Sequence, residues 1–429
     1  MGVSTDEPTP AHVATPGIVM VARGTEAVAH VLGAAAVLGR TIKTSEGTTH
    51  DIDDDRMSRE HASVRFERGY WVIIDQESRN GTFVNGQRIT GEVRRRGHTI
   101  LRLGHSVFVL LADVWGHPAA LDDAVVGPEL ARSYDEIRRA ASAPAILVHG
   151  EPGAGKEAAA RLYHEAGPRR DGPFVTVNCG ATPEGVAERL LFGAKKGIVE
   201  SIGQFQMARG GTIFLDEISA IKPAVQVKLL RLIDKRLLEP VGALEGAPID
   251  VGIVAGAHAE LRLAVTDGRF DAELYKRIAQ VSVHLPPLRE RRVDIARFVQ
   301  REVVAVDASL KAHAKLVEAC LVRPWPGNVP ELLAAVRKAA AGVLAQKRDI
   351  VRVEDLEPAA GLTPCALAAE TAVERPKRDS GRLDIDKATV EAALLRANNI
   401  VHLAARILGV HRTQLLQLMD KHGIVVTEE

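Results

Sequence analysis

A glycine-rich turn between a strand-like run and a helix-like run constrains this fold more than any other feature. The apolar run Ala145–His149 predicts a buried parallel strand, and segment 158–164 behind the turn has helical character. Gly150, four residues and then Gly155-Lys156 fit the phosphate-loop pattern. Backbone N–H groups of such a loop close around a polyphosphate, and the lysine reaches its outer phosphates. We therefore predict nucleotide binding by Gly150, Glu151, Pro152, Gly153, Ala154, Gly155, Lys156 and Glu157.

Two points about this loop stay open at this stage. A glycine-rich loop alone could be a tight strand-to-helix turn, and the usual Ser or Thr after the lysine, a Mg²⁺ ligand, is Glu157.

A later apolar run, Gly211–Leu215, ends in Asp216 and Glu217. Paired acids there could cap a helix, but with the loop upstream they are what ATP hydrolysis needs. Asp216 would hold Mg²⁺ through water, and Glu217 would polarise the attacking water.

The composition limits the classes of protein that remain. A chain of 429 residues should hold two to four domains. Lys+Arg and Asp+Glu are equal at 55 each, so any contact with nucleic acid must be local. The three cysteines are scattered without metal-ligand spacing, which suits a reducing compartment. Since no apolar run has membrane-spanning length and the N-terminus lacks a signal pattern, we expect a cytoplasmic protein without membrane contact.

The first hundred residues have the pattern of a β-sandwich. After a polar tail over 1–16, segments between residues 17 and 113 are short, alternating and β-branched, with turn residues between them. Asn85-Gly86 between two such segments is a strong signal for a two-residue hairpin. These features predict a compact β-sandwich.

The turns of this segment carry an unusual set of polar residues: Gly39-Arg40, Met57–His61 and Ser78–Gly86. In this order they resemble the signature loops of the forkhead-associated (FHA) domain. The resemblance implies recognition of a phosphothreonine peptide, and an Arg fork with hydroxyl and amide donors does make charge-assisted bonds to a dianion. Ordinary turn residues are the alternative interpretation. Arg40 and Ser58 would hold the phosphate, Arg59, Arg79 and Asn80 would contact the peptide, and His61 would brace the loops.

Strands and helical stretches alternate after the phosphate loop, which predicts a doubly wound α/β fold. Strings between residues 126 and 344 resemble the AAA+ domain of bacterial sigma-54-dependent activators: 150–157, Val177–Cys179, Leu191–Gly193, Gly210–Glu217, Leu285–Arg291 and Trp325–Val329. In that family Glu after the loop lysine is usual, which accounts for Glu157. The resemblance implies ATP and Mg²⁺ as cofactors. It also makes Asn178 the partner that holds the catalytic Glu217 until a substrate contact releases it.

The departures from the family lie at chemically important positions. Members carry a Gly-Ala-Phe-Thr-Gly-Ala loop that grips sigma-54, whereas Lys196–Gly203 is shorter here and has neither the Phe nor the Thr. Of two arginines that reach a neighbouring subunit's ATP, the first is replaced by Asp271 and the second remains as Arg277. His258 replaces the strand-end Asn, and Pro330 replaces an arginine of the lid. Because such arginines stabilise the transition state, we predict ATP binding with weak or absent turnover.

The C-terminal segment shows helical apolar spacing from residue 386 to residue 421, interrupted at Gly409-Val410. The run Ala404–Leu415 resembles the Fis-type helix-turn-helix that ends sigma-54 activators. A three-helix dimerisation element without DNA contact is the alternative, because basic and acidic residues are nearly balanced here. A second helix would present His411, Arg412, Thr413, Gln414 and Gln417 to the major groove.

The sequence thus predicts a multidomain protein. Its parts are a disordered tail (1–16), an FHA β-sandwich (17–113), a linker (114–125), an AAA+ α/β subdomain (126–296), a helical lid (297–352), a flexible linker (353–383) and an all-α helix-turn-helix (384–429). We expect a homo-oligomeric, DNA-binding transcriptional regulator, as a dimer or a hexamer, that docks a phosphothreonine protein. Two alternatives remain at this stage: a working, ATP-hydrolysing activator of sigma-54 RNA polymerase, and a phosphopeptide-binding scaffold without DNA or motor role.

Overall fold

The computed structural model covers both predicted large domains. It describes residues 16–23, 26–31, 33–45, 47, 49–114, 127–183, 185–195, 201–258 and 261–363, and the single residues 387, 390 and 419. Residues 387, 390 and 419 are α-helical. The predicted tail (1–16) and the first linker (114–125) lie outside the described residues except for residues 16 and 114, and so do all five candidate DNA-contacting residues. Residues 353–363 of the predicted flexible linker (353–383) are described, and Leu356 is buried in the core of the lid.

The N-terminal part is an antiparallel β-sandwich, as its alternating pattern predicts. One sheet has the order β2-β1-β12-β11-β8-β9 and the other β10-β7-β6-β3-β4-β5. The strands are β1 (Gly17–Arg23), β2 (Glu26–Val31), β3 (Ala35–Leu38), β4 (Thr41–Thr44), β5 (Thr49–Asp51), β6 (Ala62–Glu67), β7 (Tyr70–Asp75), β8 (Thr82–Val84), β9 (Gln87–Ile89), β10 (Glu92–Arg95), β11 (Thr99–Leu103) and β12 (Ser106–Leu111). The predicted hairpin is confirmed, since Val84 pairs with Gln87 and both Asn85 and Gly86 have positive φ.

The apolar residues that alternate along these strands meet between the two sheets. Ile18, Leu38, Trp71, Phe108 and Leu110 are among the fully buried side chains of this core. Burial of side chains of this size stabilises the fold by about 1.5–3 kcal/mol each relative to exposure. The sandwich therefore has a core of its own.

The central part is a doubly wound α/β fold with a parallel sheet of order β14-β15-β18-β13-β19. Alternate residues of β13 face opposite layers: Ala145 and Leu147 pack on one side of the sheet, Ile146 and Val148 on the other. Both faces are covered, as expected for parallel strands that read as apolar runs. The elements are α1 (Pro128–Arg139), β13 (Ala145–His149), α2 (Lys156–Ala166), β14 (Phe174–Asn178), α3 (Ala187–Phe192), α4 (Gln204–Met207), β15 (Thr212–Asp216), α5 (Pro223–Lys235), β16 (Leu237–Leu238), β17 (Ala247–Pro248), β18 (Gly252–Ala257), α6 (Leu261–Thr266), α7 (Ala272–Ile278) and β19 (Ser282–His284).

A small helical lid follows the parallel sheet. It consists of α8 (Arg292–Val306), β20 (Lys311–Ala312), α9 (Ala314–Val322), α10 (Asn328–Ala345) and β21 (Ile350–Val351). Helices α8, α9 and α10 pack around a shared apolar core that includes Val299, Leu321 and Val336. No helix among the described residues is long and apolar enough to cross a membrane.

The outer face of one sandwich sheet packs directly on the lid. Val19, Val107 and Val109 of β1 and β12 belong to the same buried cluster as the core of α8 and α9. Within this contact, Arg102 of β11 and Glu318 of α9 form an ion pair, and each is less than a tenth exposed. The sandwich is thus joined to the lid by apolar packing and one buried charge pair.

Candidate nucleotide and phosphopeptide sites

The glycine-rich loop connects β13 to α2 in a conformation suited to an anion. Gly153 and Gly155 have φ of +74° and +105°, values that favour glycine. Gly155 is the N-cap residue of α2 and, as a glycine, supplies no side chain that could accept a hydrogen bond from the first turn of this helix. The space where a Cβ of residue 155 would stand is open: apart from the adjacent residues of the loop, no atom of the described residues lies within 4 Å. The backbone N–H groups at the start of α2 are therefore available to a phosphate.

Lys156 lies inside this loop. Its side chain is buried, and Nζ donates to the carbonyl oxygens of Gly150 and Glu151 at 3.2 Å each. Burial lowers the pKa of Lys156, while the nearby carboxylates of Asp216 and Glu217 act in the opposite direction. The loop lysine and the acidic pair, which are 60 positions apart, thus lie close enough to interact electrostatically, as the sequence predicts for a nucleotide site.

The two acids occupy the carboxyl end of β15, beside the end of β14. Asp216 is in register with Asn178, and its Oδ1 accepts from the backbone N–H of Glu217 at 3.0 Å. Glu217 has a left-handed backbone with φ of +54°, which is costly for a non-glycine residue and typical of functional sites. A Cβ at Gly180 would stand 1.9 Å from Glu217 Oε2 and 3.3 Å from Asn178 Oδ1. The fold therefore brings Asn178 next to Glu217.

These residues fit a magnesium ion held mainly by a nucleotide. In the described part of the chain no group of three potential ligands converges at Asp216, and the one such group lies in the sandwich. Mg²⁺ in nucleotide sites is held by one or two carboxylates, waters and substrate phosphates rather than by a protein cage. A single carboxylate at the end of β15, beside the loop lysine, is the donor set that such an ion needs.

Three further residues, which the sequence motifs contain but to which they assign no role, hold the phosphate loop. Arg289 donates two hydrogen bonds to the carboxylate of Glu151, at 2.8 and 2.7 Å, and these bonds lower the pKa of Glu151. Arg291, which is 2% exposed, donates to the carbonyl of Ala154 at 2.8 Å. The fully buried Asn328 donates to Pro152 O at 2.9 Å. Arg289 and Arg291 lie in the string Leu285–Arg291, and Asn328 lies in Trp325–Val329, so these two strings were the sequence signal that could have identified them.

The residues at which the sequence departs from the family pattern have defined positions in the structure. Pro330 is the third residue of α10 and lies against the loop, because a Cβ at Gly153 would stand 2.7 Å from Pro330 Cδ. Asp271 caps α7 and accepts from the N–H of Leu274 at 2.8 Å. Arg277 is exposed and pairs with Asp234 at 2.9 Å. His258 follows β18 directly. Most of the altered sigma-contacting loop, residues 196–200, lies outside the described residues.

The polar turns of the sandwich meet at one end of the domain. Arg40 donates through Nε to Met57 O at 2.9 Å, and the backbone N–H of Arg79 donates to Ser58 Oγ at 3.2 Å. Asn80 donates through Nδ2 to Arg56 O at 2.7 Å. Arg59 is exposed on the same turn as Ser58. Four of the five predicted phosphopeptide residues are therefore joined through hydrogen bonds between the turns that carry them, and Arg59 is adjacent.

His61 connects two of these loops through hydrogen bonds, as predicted. Its Nδ1 accepts from the backbone N–H of Ser58 at 3.0 Å, so its Nε2 carries the proton that is donated to Gly81 O at 3.2 Å. The side chain is fully buried, and burial lowers its pKa below 6.5. Weaker opposing effects come from the Gly81 hydrogen bond, Asp75 and Asp54. His61 is thus a neutral structural residue whose two nitrogens fix two loops.

The neutral state of His61 makes the stability of the protein depend on pH. The unfolded chain binds a proton near pH 6.5, whereas the folded chain resists it, so stability falls as pH decreases from 6.5 towards the lower folded pKa. The slope contributed by one histidine is at most about 1.4 kcal/mol per pH unit. We expect His61→Gln to lose less free energy of unfolding than wild type between pH 7 and pH 5, as measured by urea titration. Parallel losses in both proteins would contradict this.

The arrangement defines a phosphate-loop domain of the AAA+ class, preceded by a sandwich with a phosphopeptide-type loop end. A family model described as the Sigma-54 interaction domain matches residues 126–284, and an FHA domain model matches residues 36–104. The transcriptional regulatory protein ZraR from Salmonella typhi is 35% identical over 308 residues, which cover 68% of this chain and 67% of ZraR. The chain belongs to the family of sigma-54-dependent transcriptional regulators, and it carries an FHA domain.

Other relatives and a solved structure agree with this family. The C4-dicarboxylate transport regulator DctD from Pseudomonas aeruginosa is 37% identical over 290 residues, 65% of this chain and 59% of DctD. The Nif-specific regulatory protein from Azospirillum brasilense is matched over 52% of its length, so the chain spans only about half to three fifths of these two relatives. The crystal structure of NtrX from Brucella abortus in complex with ATP has a TM-score of 0.51 and 26% identity, with 70% of both chains covered.

Proposed function

We propose that this protein is a cytosolic, DNA-binding transcriptional regulator that couples phosphothreonine recognition to an ATP-binding AAA+ oligomer with weak ATP turnover and impaired remodelling of sigma-54 polymerase. The family membership and the loop geometry support nucleotide binding, and the joined turns around Arg40 support a phosphopeptide. Cys179 and Cys320 are buried free thiols, which suits the cytosol. DNA contact through residues 384–429 rests on the resemblance of that segment alone.

The position of Pro330 is the observation on which weak turnover depends. Residue 330 abuts the phosphate loop at Gly153, so a family arginine at this position would stand beside the bound phosphates. Proline fits the first turn of α10, where a missing N–H costs little, but it supplies no positive charge. Asp271 adds to this deficit, because its carboxylate serves as the cap of α7. Both changes preserve the fold and remove transition-state stabilisation.

The remaining residues still suffice to bind and orient ATP. The start of α2 and Lys156 would hold the β- and γ-phosphates, and Asp216 would hold Mg²⁺ through water, where the ion neutralises charge on the phosphates. Glu217 would orient the attacking water, and Asn178 would hold Glu217 away from it until a partner binds. Arg277, exposed at the surface, would reach a neighbouring subunit's nucleotide. The site thus supports a nucleotide-dependent assembly better than a motor.

The test measures ATP binding, ATP turnover, DNA binding and polymerase activation on the full-length protein. We expect nucleotide binding that Lys156→Ala weakens at least tenfold, and an ATPase rate close to that of Glu217→Gln. We expect sequence-specific DNA fragments to be retained by the wild type and lost when residues 384–429 are removed. Open-complex formation with sigma-54 holoenzyme should stay near background.

Each result separates the proposal from its competitors. Robust ATP-dependent melting of a sigma-54 promoter would identify a working activator. An ATPase rate that falls sharply in Arg277→Ala would likewise contradict weak turnover. Nucleotide binding without sequence-specific DNA retention would favour a phosphopeptide-binding scaffold.

A further inference from the structure

A cavity of about 530 Å³ lies between the sandwich and the lid, next to the candidate phosphopeptide face. Asn80, one of the five predicted phosphopeptide residues, lines it, so the cavity adjoins that face. The other lining residues come from both domains: Arg56, Phe83, Arg102, Gly104 and His105 from the sandwich, and His313, Lys315, Arg352 and Glu354 from the lid. The cavity is thus a place where one ligand would touch both.

The lining is strongly cationic. Arg102 is paired with Glu318, whereas the side chains of Arg56, Lys315 and Arg352 make no ion pair within 4.0 Å among the described residues, although Asp355 is near enough to Arg352 to interact with it electrostatically. Glu354 is the one carboxylate of the lining, and Asp54 and Asp55 lie behind His105. Asp54 accepts hydrogen bonds from the backbone N–H groups of Arg56 and His105 and from the hydroxyl of Ser106, and its charge offsets part of the positive charge on the sandwich side of the cavity.

The positive groups are held in place by both domains. The turn that carries Arg56 is fixed by Asp54, which accepts from its N–H at 3.0 Å, and by Asn80, which donates to its carbonyl. Across the cavity, the rings of His105 and His313 meet edge to face with centroids 5.1 Å apart. Burial lowers the pKa of His313, and His105, Arg352 and Lys315 lower it further, against a smaller effect of Glu354. Arg352 and Lys315 are therefore near enough to His313 to act on it electrostatically.

We propose that this cavity binds an acidic segment of the phosphoprotein partner, beside the phosphothreonine held by the FHA loops. The proposal rests on the proposed phosphothreonine site and adds a specificity determinant to it. The three available cations come from separate elements, namely a sandwich turn, the start of α9 and the residue after β21. Cations spread in this way match several carboxylates along a peptide better than one compact phosphate, which would fill only part of the volume.

Peptide binding across both domains also has a consequence for the lid. An acidic segment that touches Arg56 on one side and Lys315 and Arg352 on the other would add contacts between the sandwich and the lid. Ligand contacts that exist only in the docked arrangement stabilise that arrangement. The partner's acidic residues would therefore favour docking, whereas the phosphate alone would bind the sandwich without affecting the lid.

The experiment uses the full-length protein and a degenerate phosphothreonine peptide library. We expect wild type to retain peptides enriched in Asp and Glu on one side of the phosphothreonine. The best of these should bind about three- to tenfold more tightly than its neutral-flank counterpart at low salt, with the gain lost at high salt. Lys315→Ala/Arg352→Ala should abolish the gain and leave the affinity for the neutral-flank peptide unchanged.

Two variants serve as controls. Lys311→Ala removes an exposed lysine of the same lid outside the cavity and should keep the acidic preference. Arg40→Ala should weaken every phosphopeptide, which tests the phosphothreonine site itself. Absence of acidic enrichment in wild type, or enrichment that persists in the double variant, overturns the cavity proposal.

Failure of the phosphothreonine site can be told apart from failure of the cavity. If wild type retains no peptide in a phosphate-dependent way, the proposed function is wrong at that site. A non-phosphorylated oligoglutamate peptide then tests the cavity alone, and equal weak binding to wild type and to Lys315→Ala/Arg352→Ala overturns the proposal. Competition by inorganic phosphate without any gain from acidic flanks would identify a small-anion site instead and also overturn it.

Discussion

Restoring two arginines should raise the ATPase rate of this protein. Pro330→Arg places a guanidinium beside Gly153, at the start of a helix where arginine is a good helix former. Asp271→Arg restores the cation that family members direct at a neighbour's nucleotide, at a cost of about 1 kcal/mol for the lost cap. Because single transition-state donors are worth about 10²–10³ in rate, we expect the double variant to gain at least about tenfold in turnover. A steady-state phosphate-release assay measures it.

The matched controls separate charge from shape. Pro330→Ala removes the ring without adding a cation, and Asp271→Asn keeps a capping side chain without its charge. Neither should raise the rate. The gain in the double variant should also increase with protein concentration, because the residue at 271 acts between subunits. Unchanged turnover in a double variant that still binds ATP would show that some other departure, such as His258, limits the site.

Much of this fold could be predicted from local patterns, because hydrophobic periodicity and turn residues restrict each element to a strand, a helix or a turn. Phe174–Asn178 is short, rich in β-branched residues and bounded by turn residues, and it is a strand with those bounds. The loop lysine and the strand-end acids could also be predicted, since their chemistry is carried by short strings. What those strings lack is the distant partner: Arg289 and Glu151 are 138 positions apart, and Asn328 and Glu151 are 177 apart. Only the fold brings them together.

The docking of the sandwich on the lid was not predicted, although β12 contains a signal for it. A strand with one solvated face alternates apolar and polar residues. In Ser106–Leu111, five consecutive residues are apolar and all six are buried. One face of this strand lies in the sandwich core and the other against α9. The pattern shows that a second layer exists, but no local rule states which element supplies it.

The ion pair at this docking surface should have a large effect on stability. Arg102 donates through Nε to Glu318 and through a terminal N–H to Gly104 O at 3.1 Å, and its guanidinium lies 3.9 Å from the centroid of Phe83. Oε1 of Glu318 is buried without a hydrogen-bond partner in the described structure. Removal of Arg102 would therefore leave a buried carboxylate uncompensated, which costs about 3–5 kcal/mol.

We expect Arg102→Met and Glu318→Leu each to lower the free energy of unfolding by about 3 kcal/mol or more, and the double variant to recover most of that loss. A buried pair replaced by apolar residues of similar volume no longer requires the desolvation of two charges, whereas either single change leaves one charge alone. Urea unfolding of the four proteins gives the coupling energy.

Arg65→Met, which breaks the exposed pair with Glu67, should change stability by less than about 1 kcal/mol. Additive losses in the double variant would mean that Arg102 and Glu318 stabilise the docked sandwich independently rather than as a pair.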